Sequence, residues 1–227
     1  MSINADFRQR AVVRPEEAAW TPSPTPGVEG LPLDRCGAHG ACATSLVRFA
    51  PGAALARRRR EDGEEAFVIE GAFTDGDGEH RQGAYLRDPR GSSHEPSSET
   101  GCLLYVKRWR FEPADAEPVS IEADAGEWRK AGEGFAIKSL HHFDGVTTFL
   151  VRLDPGASVT RMLHPDGEEM LVVSGACSDG AREYSALTWI CDPGGHAQSL
   201  SSRDGCTLFV KTGHVGAAAK EAERLGD

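Results

Sequence analysis

Short apolar runs separated by turn-forming residues make up most of the chain. The runs are rich in β-branched and aromatic residues, span about four to eight positions, and are bounded by Pro-Gly, Asp-Gly or Asp-Pro. No helical periodicity occurs between them, so parallel strands joined by crossover helices are not expected. The clearest runs are TSLVRF, EAFVIEGAF, AYLRDP and CLLYVKRW, then TFLVRL, EMLVVSGAC, TWICDP and CTLFVKTG. This pattern predicts an all-β protein with an antiparallel sandwich or jelly-roll barrel architecture.

The two groups of runs correspond because the sequence repeats itself. Residues 46–107 align without a gap on residues 150–211, with 27 identities in 62 positions. Two copies of this length predict two similar folded units. The tail is rich in Ala, Glu and Lys and ends near a Gly, which predicts one short helix. The predicted divisions are an N-terminal segment that packs on the barrels at 1–35, barrel 1 at 36–111, a polar connection at 112–145, barrel 2 at 146–215 and the helical tail at 216–227.

The net charge of the chain narrows the set of partners. At a formal charge of −10, binding to nucleic acid or to an anionic membrane surface is not expected, because phosphate groups need a basic surface. The one basic cluster, residues 57–60, is followed at once by acidic residues. The N-terminus lacks an apolar signal segment, and no run approaches the ~20 apolar residues of a membrane helix. A cytoplasmic protein is expected.

The cysteine pattern agrees with that location. Six cysteines are present and none forms a Cys-x-x-Cys pair, so free thiols in a reducing compartment are expected. Cys102 and Cys206 occupy matched positions in apolar runs and are predicted to be buried. Cys177 and Cys191 occur in the second copy only. For these two, a redox or ligand role and an inert buried thiol both stay open.

A spaced set of glycine, proline and polar residues occurs in both copies. In the second copy the set is Gly156, Met162, His164, Glu168 and Gly175, followed by Pro193, Gly195 and Gln198. In the first copy it is Gly52, Arg58, Arg60, Glu64 and Gly71, followed by Pro89, Gly91 and His94. This spacing resembles the two cupin motifs, G-x5-H-x-H-x3-E-x6-G and P-x-G-x-x-H. The sequence pattern PGA…DGEE…DP-x-G…GC-x-L-x-VK, present in both copies, resembles the cupin module of ChrR-type anti-sigma factors.

The resemblance implies two tandem cupin barrels and, in typical members, a divalent metal held by three histidines and one glutamate. In a cupin, period-2 alternation aims the ligand side chains from neighbouring strands into the barrel. Anti-sigma relatives also carry a helical zinc domain that grips the sigma factor. Residues 1–35 contain no cysteine–histidine zinc pattern, so sigma-factor binding is not expected here.

Barrel 1 departs from the metal-binding pattern. Arg58 and Arg60 stand at two histidine positions, and only Glu64 and His94 remain. A guanidinium is always charged, so it repels a metal cation and cannot ligate one. If either arginine points inward, it would pair with Glu64 and spare that carboxylate from being buried alone. No metal is expected in barrel 1.

Barrel 2 is closer to the pattern but also incomplete. His164 and Glu168 are sound ligands for Zn or Fe, whereas Met162 and Gln198 are weak substitutes and His196 would need a shifted loop. Two firm ligands fall short of the three that catalytic sites usually retain. One divalent metal in barrel 2 and a metal-free barrel, with His164 hydrogen-bonded in the core, therefore both stay open.

The other matched polar residues are interpreted as structural. By strand alternation, Glu65 and Glu169 are predicted to face outward, into solvent or across a hairpin. Matched cations on strands are expected to snorkel or to pair across strands. They are Arg48, Arg152, Lys107 and Lys211.

Two functions are compatible with these residues. The favoured one is a non-catalytic sensory or regulatory protein that binds a small molecule or a metal at degenerate sites. The alternative is a metal-dependent cupin dioxygenase or a related small-molecule enzyme, which would need several ligands fixing an open-sided metal. Catalytic residues cannot be assigned, and a homodimer and a monomer both remain open.

Overall fold

Two compact units make up the fold. The computed structural model describes residues 2–36, 42–59, 61–109, 111–195 and 197–225. Unit 1 contains Met1–Ala5 and Ala19–Ala125, and unit 2 contains Asp6–Ala18 and Gly126–Asp227. Both units are built from antiparallel strands, so the predicted all-β class and duplication are confirmed.

The strands follow the predicted runs closely. Up to the end of unit 1 they are β1 (Ala11–Val13), β2 (Thr21–Pro22), β3 (Val28–Cys36), β4 (Cys42–Phe49), β5 (Ala53–Ala54), β6 (Arg58–Arg59), β7 (Glu64–Thr74), β8 (Glu79–Arg81), β9 (Tyr85–Asp88), β10 (Ser93–His94), β11 (Ser97–Ser98), β12 (Cys102–Arg108) and β13 (Val119–Ile121). The others are β14 (Arg129–Gly132), β15 (Phe135–Phe143), β16 (Val146–Leu153), β17 (Ser158–Met162), β18 (Glu168–Ser178), β19 (Glu183–Ser185), β20 (Trp189–Asp192), β21 (Ala197–Ser201) and β22 (Cys206–Thr212).

One helix, α1 (Val215–Leu225), follows the last strand. Its position confirms the helix predicted for the tail. Across the described ranges, no helix has the length and hydropathy needed to cross a bilayer.

The two units share one strand order. The central path is β9-β7-β12-β4-β3 in unit 1 and β20-β18-β22-β16-β15 in unit 2. Each path therefore consists of strands from matched sequence positions, paired with matched neighbours. In both units the long strand next to the centre carries a register shift against the central strand, between Val68 and Glu70 in unit 1 and between Val172 and Ser174 in unit 2.

The outer edge of each path is completed differently. In unit 1, β13 pairs with β9 and comes from the segment that follows the barrel. In unit 2, β1 pairs with β20 and comes from the N-terminal segment, with Val12 packed against the core. The N-terminal residues 6–18 thus belong to unit 2, although they precede unit 1 in the chain. A strand added to an edge satisfies backbone groups that would otherwise be exposed.

Matched arginines hold the segments that lead into the two sheets. The guanidinium of Arg48 lies over the Trp20 ring, 4.0 Å from its centroid. The guanidinium of Arg152 lies over the Trp128 ring at 4.6 Å. A cation over an indole face contributes about 0.5–1 kcal/mol at exposed sites. This contact supports the structural interpretation of both arginines.

The interior of each unit is apolar. Alternate residues of the central strands point inward, and their burial stabilises the fold by about 1.5–3 kcal/mol for each large side chain. In unit 1 the interior includes Val28, Phe49, Val68, Phe73, Leu86, Leu104 and Val106. In unit 2 it includes Leu153, Met170, Val172, Tyr184, Ile190, Leu208 and Val210.

The opposite face of the central strands is also buried, which makes one sequence prediction wrong. Glu65 and Glu169 lie on that face as alternation predicts, but they are buried rather than solvated. Glu65 contacts the guanidinium of Arg87, with Nε 3.2 Å from Oε1. Glu169 accepts hydrogen bonds from Trp189 Nε1 at 2.7 Å and from His214 Nε2 at 2.8 Å. Alternation fixes the face of a strand, but it does not tell whether that face meets water.

The matched lysines lie on the same buried face. Lys107 Nζ donates to Thr44 Oγ1 at 2.9 Å, and Lys211 Nζ donates to Thr148 Oγ1 at 3.3 Å. In the strand register Lys107 stands opposite Glu65, and Lys211 stands opposite Glu169. Opposite charges facing each other across strands stabilise a sheet. Both lysines are therefore structural, as predicted.

The cysteine prediction needs one correction. Cys36 and Cys42 form a disulfide between the end of β3 and the start of β4, whereas free thiols were predicted for all six cysteines. Their strands pair directly, and the two residues are partners in the register. The sequence carried no motif for this pair, because strand pairing alone brings the two side chains together. The other four cysteines, Cys102, Cys177, Cys191 and Cys206, are buried and form no disulfide.

A buried histidine in unit 1 predicts a pH-dependent stability. His80 Nδ1 lies 3.0 Å from Glu122 Oε1, and Nε2 lies 3.2 Å from Asp75 Oδ1. The hydrogen bond with Asp75, reinforced by Glu122, raises the pKa of His80 above its ordinary value. The folded state therefore binds the proton more tightly than the unfolded state. This stabilisation is fully present below about pH 6.5, the unfolded pKa, and is lost as pH rises through the folded pKa.

Thermal unfolding between pH 6 and pH 9 measures this effect. We expect the melting temperature of the wild type to fall over that window more steeply than that of His80→Gln. His142→Gln is the matched control, since His142 is exposed and its Nδ1 lies 2.9 Å from the hydroxyl of Thr147 rather than from a carboxylate. Parallel pH profiles for the wild type and His80→Gln would show that the His80 contacts do not stabilise the fold.

Candidate functional site

The candidate site lies at one end of the unit 1 barrel, where polar side chains interrupt the apolar interior. Glu64 is the first residue of β7 and lies on the same strand face as Ala66 and Val68. It stands opposite Asp88 on β9 and opposite Arg108 on β12. Directly opposed residues on antiparallel strands project from the same face. These three strands therefore bring two carboxylates and one guanidinium to the end of the interior.

Four side chains at this end form a chain of ion pairs. Arg108 Nε donates to Glu64 Oε2 at 2.9 Å. His94 Nε2 lies 3.3 Å from Glu64 Oε1, and His94 Nδ1 lies 2.8 Å from Asp88 Oδ2. The glutamate side chain is only 5% exposed, whereas that of the arginine is 41% exposed. Glu64 therefore lies innermost, and its buried charge is compensated by the Arg108 guanidinium nearer the solvent.

The sequence predicted that Arg58 or Arg60, if pointing inward, would pair with Glu64. Among the described residues, the arginine that pairs with Glu64 is Arg108. Arg58, which stands at a cupin histidine position, is exposed, and Arg60 lies outside the described residues. In the short ribbon of β6 and β10, Arg58 is opposite His94 and Arg59 is opposite Ser93. Arg58 thus shares a face with His94 but does not reach the carboxylate.

The residues of unit 1 do not fit a divalent metal. Both carboxylate oxygens of Glu64 and both ring nitrogens of His94 have partners within the ion-pair chain. A metal would have to displace these contacts and bind beside the Arg108 guanidinium, whose fixed positive charge repels it. The ion pairs take the place that ligand–metal bonds occupy in a metal-binding cupin.

Unit 2 carries a different arrangement at the matched positions. Glu168 and Asp192 stand opposite each other on β18 and β20, and both are buried. Thr212 stands opposite Glu168, at the position that Arg108 occupies in unit 1. The cation here comes from the N-terminal segment instead, since Arg10 Nε lies 3.4 Å from Asp192 Oδ2. Arg10 also contacts Tyr184 Oη at 3.0 Å.

The predicted ligands of unit 2 are spread over that end of the barrel. His164 is half-buried, and its Nδ1 accepts a hydrogen bond from the Asp166 N–H at 3.1 Å. Met162 is 65% exposed, so its thioether lies on the surface. Gln198 is half-buried on β21, and His196 lies outside the described residues.

These positions do not assemble into a metal centre. Within the ranges that the structure describes, no group of three or more His, Cys, Asp and Glu side chains is placed to hold an ion. Structural and catalytic zinc sites retain at least three protein ligands. The donors that the structure brings together in unit 2 therefore do not fit a tightly held divalent metal.

The thiols of unit 2 are divided between its two faces. Cys177 and Cys206 lie together in the interior, where their hydrogen bond lowers the pKa of Cys206 to about 7 and raises that of Cys177. Cys191 lies on the opposite strand face from Ile190 and Asp192. None of the three is exposed.

Sequence and structure comparisons identify what this architecture is similar to. The sequence model of the ChrR cupin-like domain family matches the chain twice, over residues 8–112 and 116–216. Among curated protein sequences, none matches the chain.

Solved structures share the fold at low sequence identity. A candidate dioxygenase from Nostoc punctiforme superposes with a TM-score of 0.74 at 17% identity, over 91% of this chain and 83% of that chain. The protein Ylba from E. coli superposes with a TM-score of 0.73 at 15% identity, over 91% and 92% of the two chains. A variant of Bacillus subtilis oxalate decarboxylase gives 0.66 at 12% identity, over 88% and 76%. At such identities the likeness establishes the fold and leaves the activity to the site.

Proposed function

Because this chain belongs to the ChrR cupin-like domain family, with the domain present twice, we propose that it is a non-catalytic protein that binds a small ligand in a sensory or regulatory role. One observation carries the proposal. Both carboxylate oxygens of Glu64, the motif glutamate of unit 1, contact His94 and Arg108. A metal at this position would need the same oxygens as ligands.

The ion pairs of unit 1 support binding without metal chemistry. A preformed set of charged groups at the open end of a barrel can orient a polar ligand and requires no cofactor. A metal-dependent reaction instead needs an ion with an open coordination position next to the substrate. The contacts of Glu64 and His94 leave no such position in unit 1, so the proposal assigns ligand recognition to this unit.

A metal-dependent enzyme remains the second candidate, and it would use unit 2. The observation that favours it is the pair of buried carboxylates, Glu168 and Asp192, with Thr212 opposite Glu168 at the position that Arg108 occupies in unit 1. Two opposed carboxylates attract a cation. Similar structures include a candidate dioxygenase and an oxalate decarboxylase. His164 and Glu168 are the residues that would hold such an ion.

Elemental analysis of the purified protein separates the two candidates. After equilibration with zinc or iron salts and dialysis, we expect less than one equivalent of metal per chain, because the donors of unit 2 fall short of a full set. Any retained metal should be lost in the double variant His164→Ala, Glu168→Ala. A full equivalent of iron that disappears in this variant would contradict the non-catalytic proposal and favour the enzyme.

A further inference from the structure

A group of arginines lies at one end of unit 1, although the chain as a whole carries a formal charge of −10. The arginines belong to or flank the ribbon of β6 and β10. Arg57 Nε donates to Ser93 Oγ at 3.0 Å, and Arg59 lies beside Gly91. Arg90 Nε lies 3.4 Å from the Glu61 carbonyl oxygen. This concentration of cations is local and needs a local explanation.

Arg58 and Arg108 have side-chain N–H groups that donate to no acceptor among the described residues. Arg108 donates to Glu64 through Nε. Its two terminal amino groups form no hydrogen bond or ion pair with another described residue. A guanidinium carries five N–H donors in a fork that matches a carboxylate. The Arg58 side chain is exposed, and it forms neither a hydrogen bond nor an ion pair within the described part of the chain.

The positions of these two arginines place them on either side of the same pair of residues. Arg58 is opposite His94 in the ribbon, and Arg108 is opposite Glu64 in the sheet. His94 and Glu64 contact each other at 3.3 Å. Arg58 and Arg108 therefore flank the His94–Glu64 pair at this end of the barrel.

The two carboxylates at this end already have partners, and neither contacts Arg58. Glu64 is already paired with Arg108 through Nε, and Asp88 is paired with His94. The charge of Arg58 and the outer edge of Arg108 consequently remain available to a bound anion. A cationic ligand would meet the repulsion of several guanidinium groups.

We propose that unit 1 binds a small organic carboxylate at this end, between Arg58 and Arg108. The inference rests on the proposed ligand-binding function and names the chemical class of the ligand. The two terminal amino groups of Arg108 donate hydrogen bonds to one carboxylate group, and Arg58 supplies the second cationic contact. A dicarboxylate that engages both arginines binds more tightly than a monocarboxylate of the same length.

Isothermal titration of the chelator-treated full chain tests the inference, with malonate, succinate, acetate and inorganic phosphate as probes. The expected order of affinity places the two dicarboxylates above acetate, with affinity falling as salt increases. Arg58→Ala should weaken malonate binding about tenfold or more, because a charge-assisted hydrogen bond is lost. Arg108→Lys keeps a cation beside Glu64 but removes the fork, and it should show a loss of similar size.

The duplicated chain supplies matched controls. Met162→Ala and Thr212→Ala change the unit 2 residues equivalent to Arg58 and Arg108, so carboxylate affinity should be unchanged in both. Circular dichroism and a melting curve establish that each variant folds.

Several results would overturn the inference. Unchanged malonate affinity in Arg58→Ala and Arg108→Lys is one, and tighter binding of phosphate than of either dicarboxylate is another. If uncharged small molecules stabilise the protein while no carboxylate binds, the ligand class is wrong although the ligand-binding function stands. If binding occurs only with metal restored, the non-catalytic, metal-independent function itself fails.

Discussion

Replacing Arg87 with alanine is expected to lower the free energy of unfolding of unit 1 by about 3–5 kcal/mol. Arg87 is 2% exposed, and its Nε lies 3.2 Å from Glu65 Oε1. Its Nη1 donates to Asp115 Oδ1 at 2.9 Å, and its guanidinium lies 3.9 Å from the Phe111 ring centroid. Alanine would leave two carboxylates in a buried site without this cation, and an uncompensated buried charge is strongly destabilising.

Urea denaturation of purified variants measures this loss. Arg87→Lys should lose less than Arg87→Ala, since it keeps the charge but neither the two-pronged contact with Asp115 nor the stacking on Phe111. Arg203→Ala is the control, because that side chain is 90% exposed and pairs with the neighbouring, exposed Asp204. A loss below about 1 kcal/mol in Arg87→Ala, the range of exposed ion pairs, would contradict a structural role for this network.

Replacing Gly71 or Gly175 with alanine should be as damaging as the loss of Arg87. These matched residues have φ of +73° and +74°. A Cβ atom at Gly71 would lie 2.2 Å from the Gly101 carbonyl oxygen, and one at Gly175 would lie 2.2 Å from the Gly205 carbonyl oxygen. The left-handed conformation alone costs about 1–2 kcal/mol for alanine. The clash with backbone adds to this, so we expect a total above about 4 kcal/mol.

The same repeat separates the clash from the conformational cost. Gly52 and Gly156 also have positive φ, +79° and +78°, but a Cβ at either position meets no atom within 4 Å. Alanine there should cost about 1–2 kcal/mol by the conformational term alone. Equal losses at all four positions, measured by urea denaturation, would show that the close approach of the backbone does not matter.

The strands and the duplication could be predicted from the sequence because they depend on local patterns. Alternating apolar residues define a strand, and the same pattern at a constant offset defines a second one. The cation beside Glu64 was predicted in kind, but Arg108 supplies it and Arg58 does not, while Arg60 lies outside the described residues. Arg108 lies one position beyond the aligned repeat, and Thr212 replaces it in unit 2, so comparison of the copies did not reveal it.

The remaining differences depend on contacts between segments that are distant in sequence. β1 is three residues long and carries no local signal for β20, so its place in unit 2 and the contact of Arg10 with Asp192 were not predictable. The aspartates Asp88 and Asp192 are kept in both copies and were interpreted as part of Asp-Pro turns. Their position opposite Glu64 and Glu168 depends on strand register, which sequence alignment of the two copies does not fix.

The metal content of unit 1 tests the central claim most directly, namely that ion pairs stand where a cupin metal would be held. The wild type and the double variant Glu64→Ala, His94→Ala are equilibrated with zinc or iron salts, dialysed and analysed for metal. We predict the same metal content for both proteins. One full equivalent in the wild type that is absent from a folded Glu64→Ala, His94→Ala variant would contradict the account.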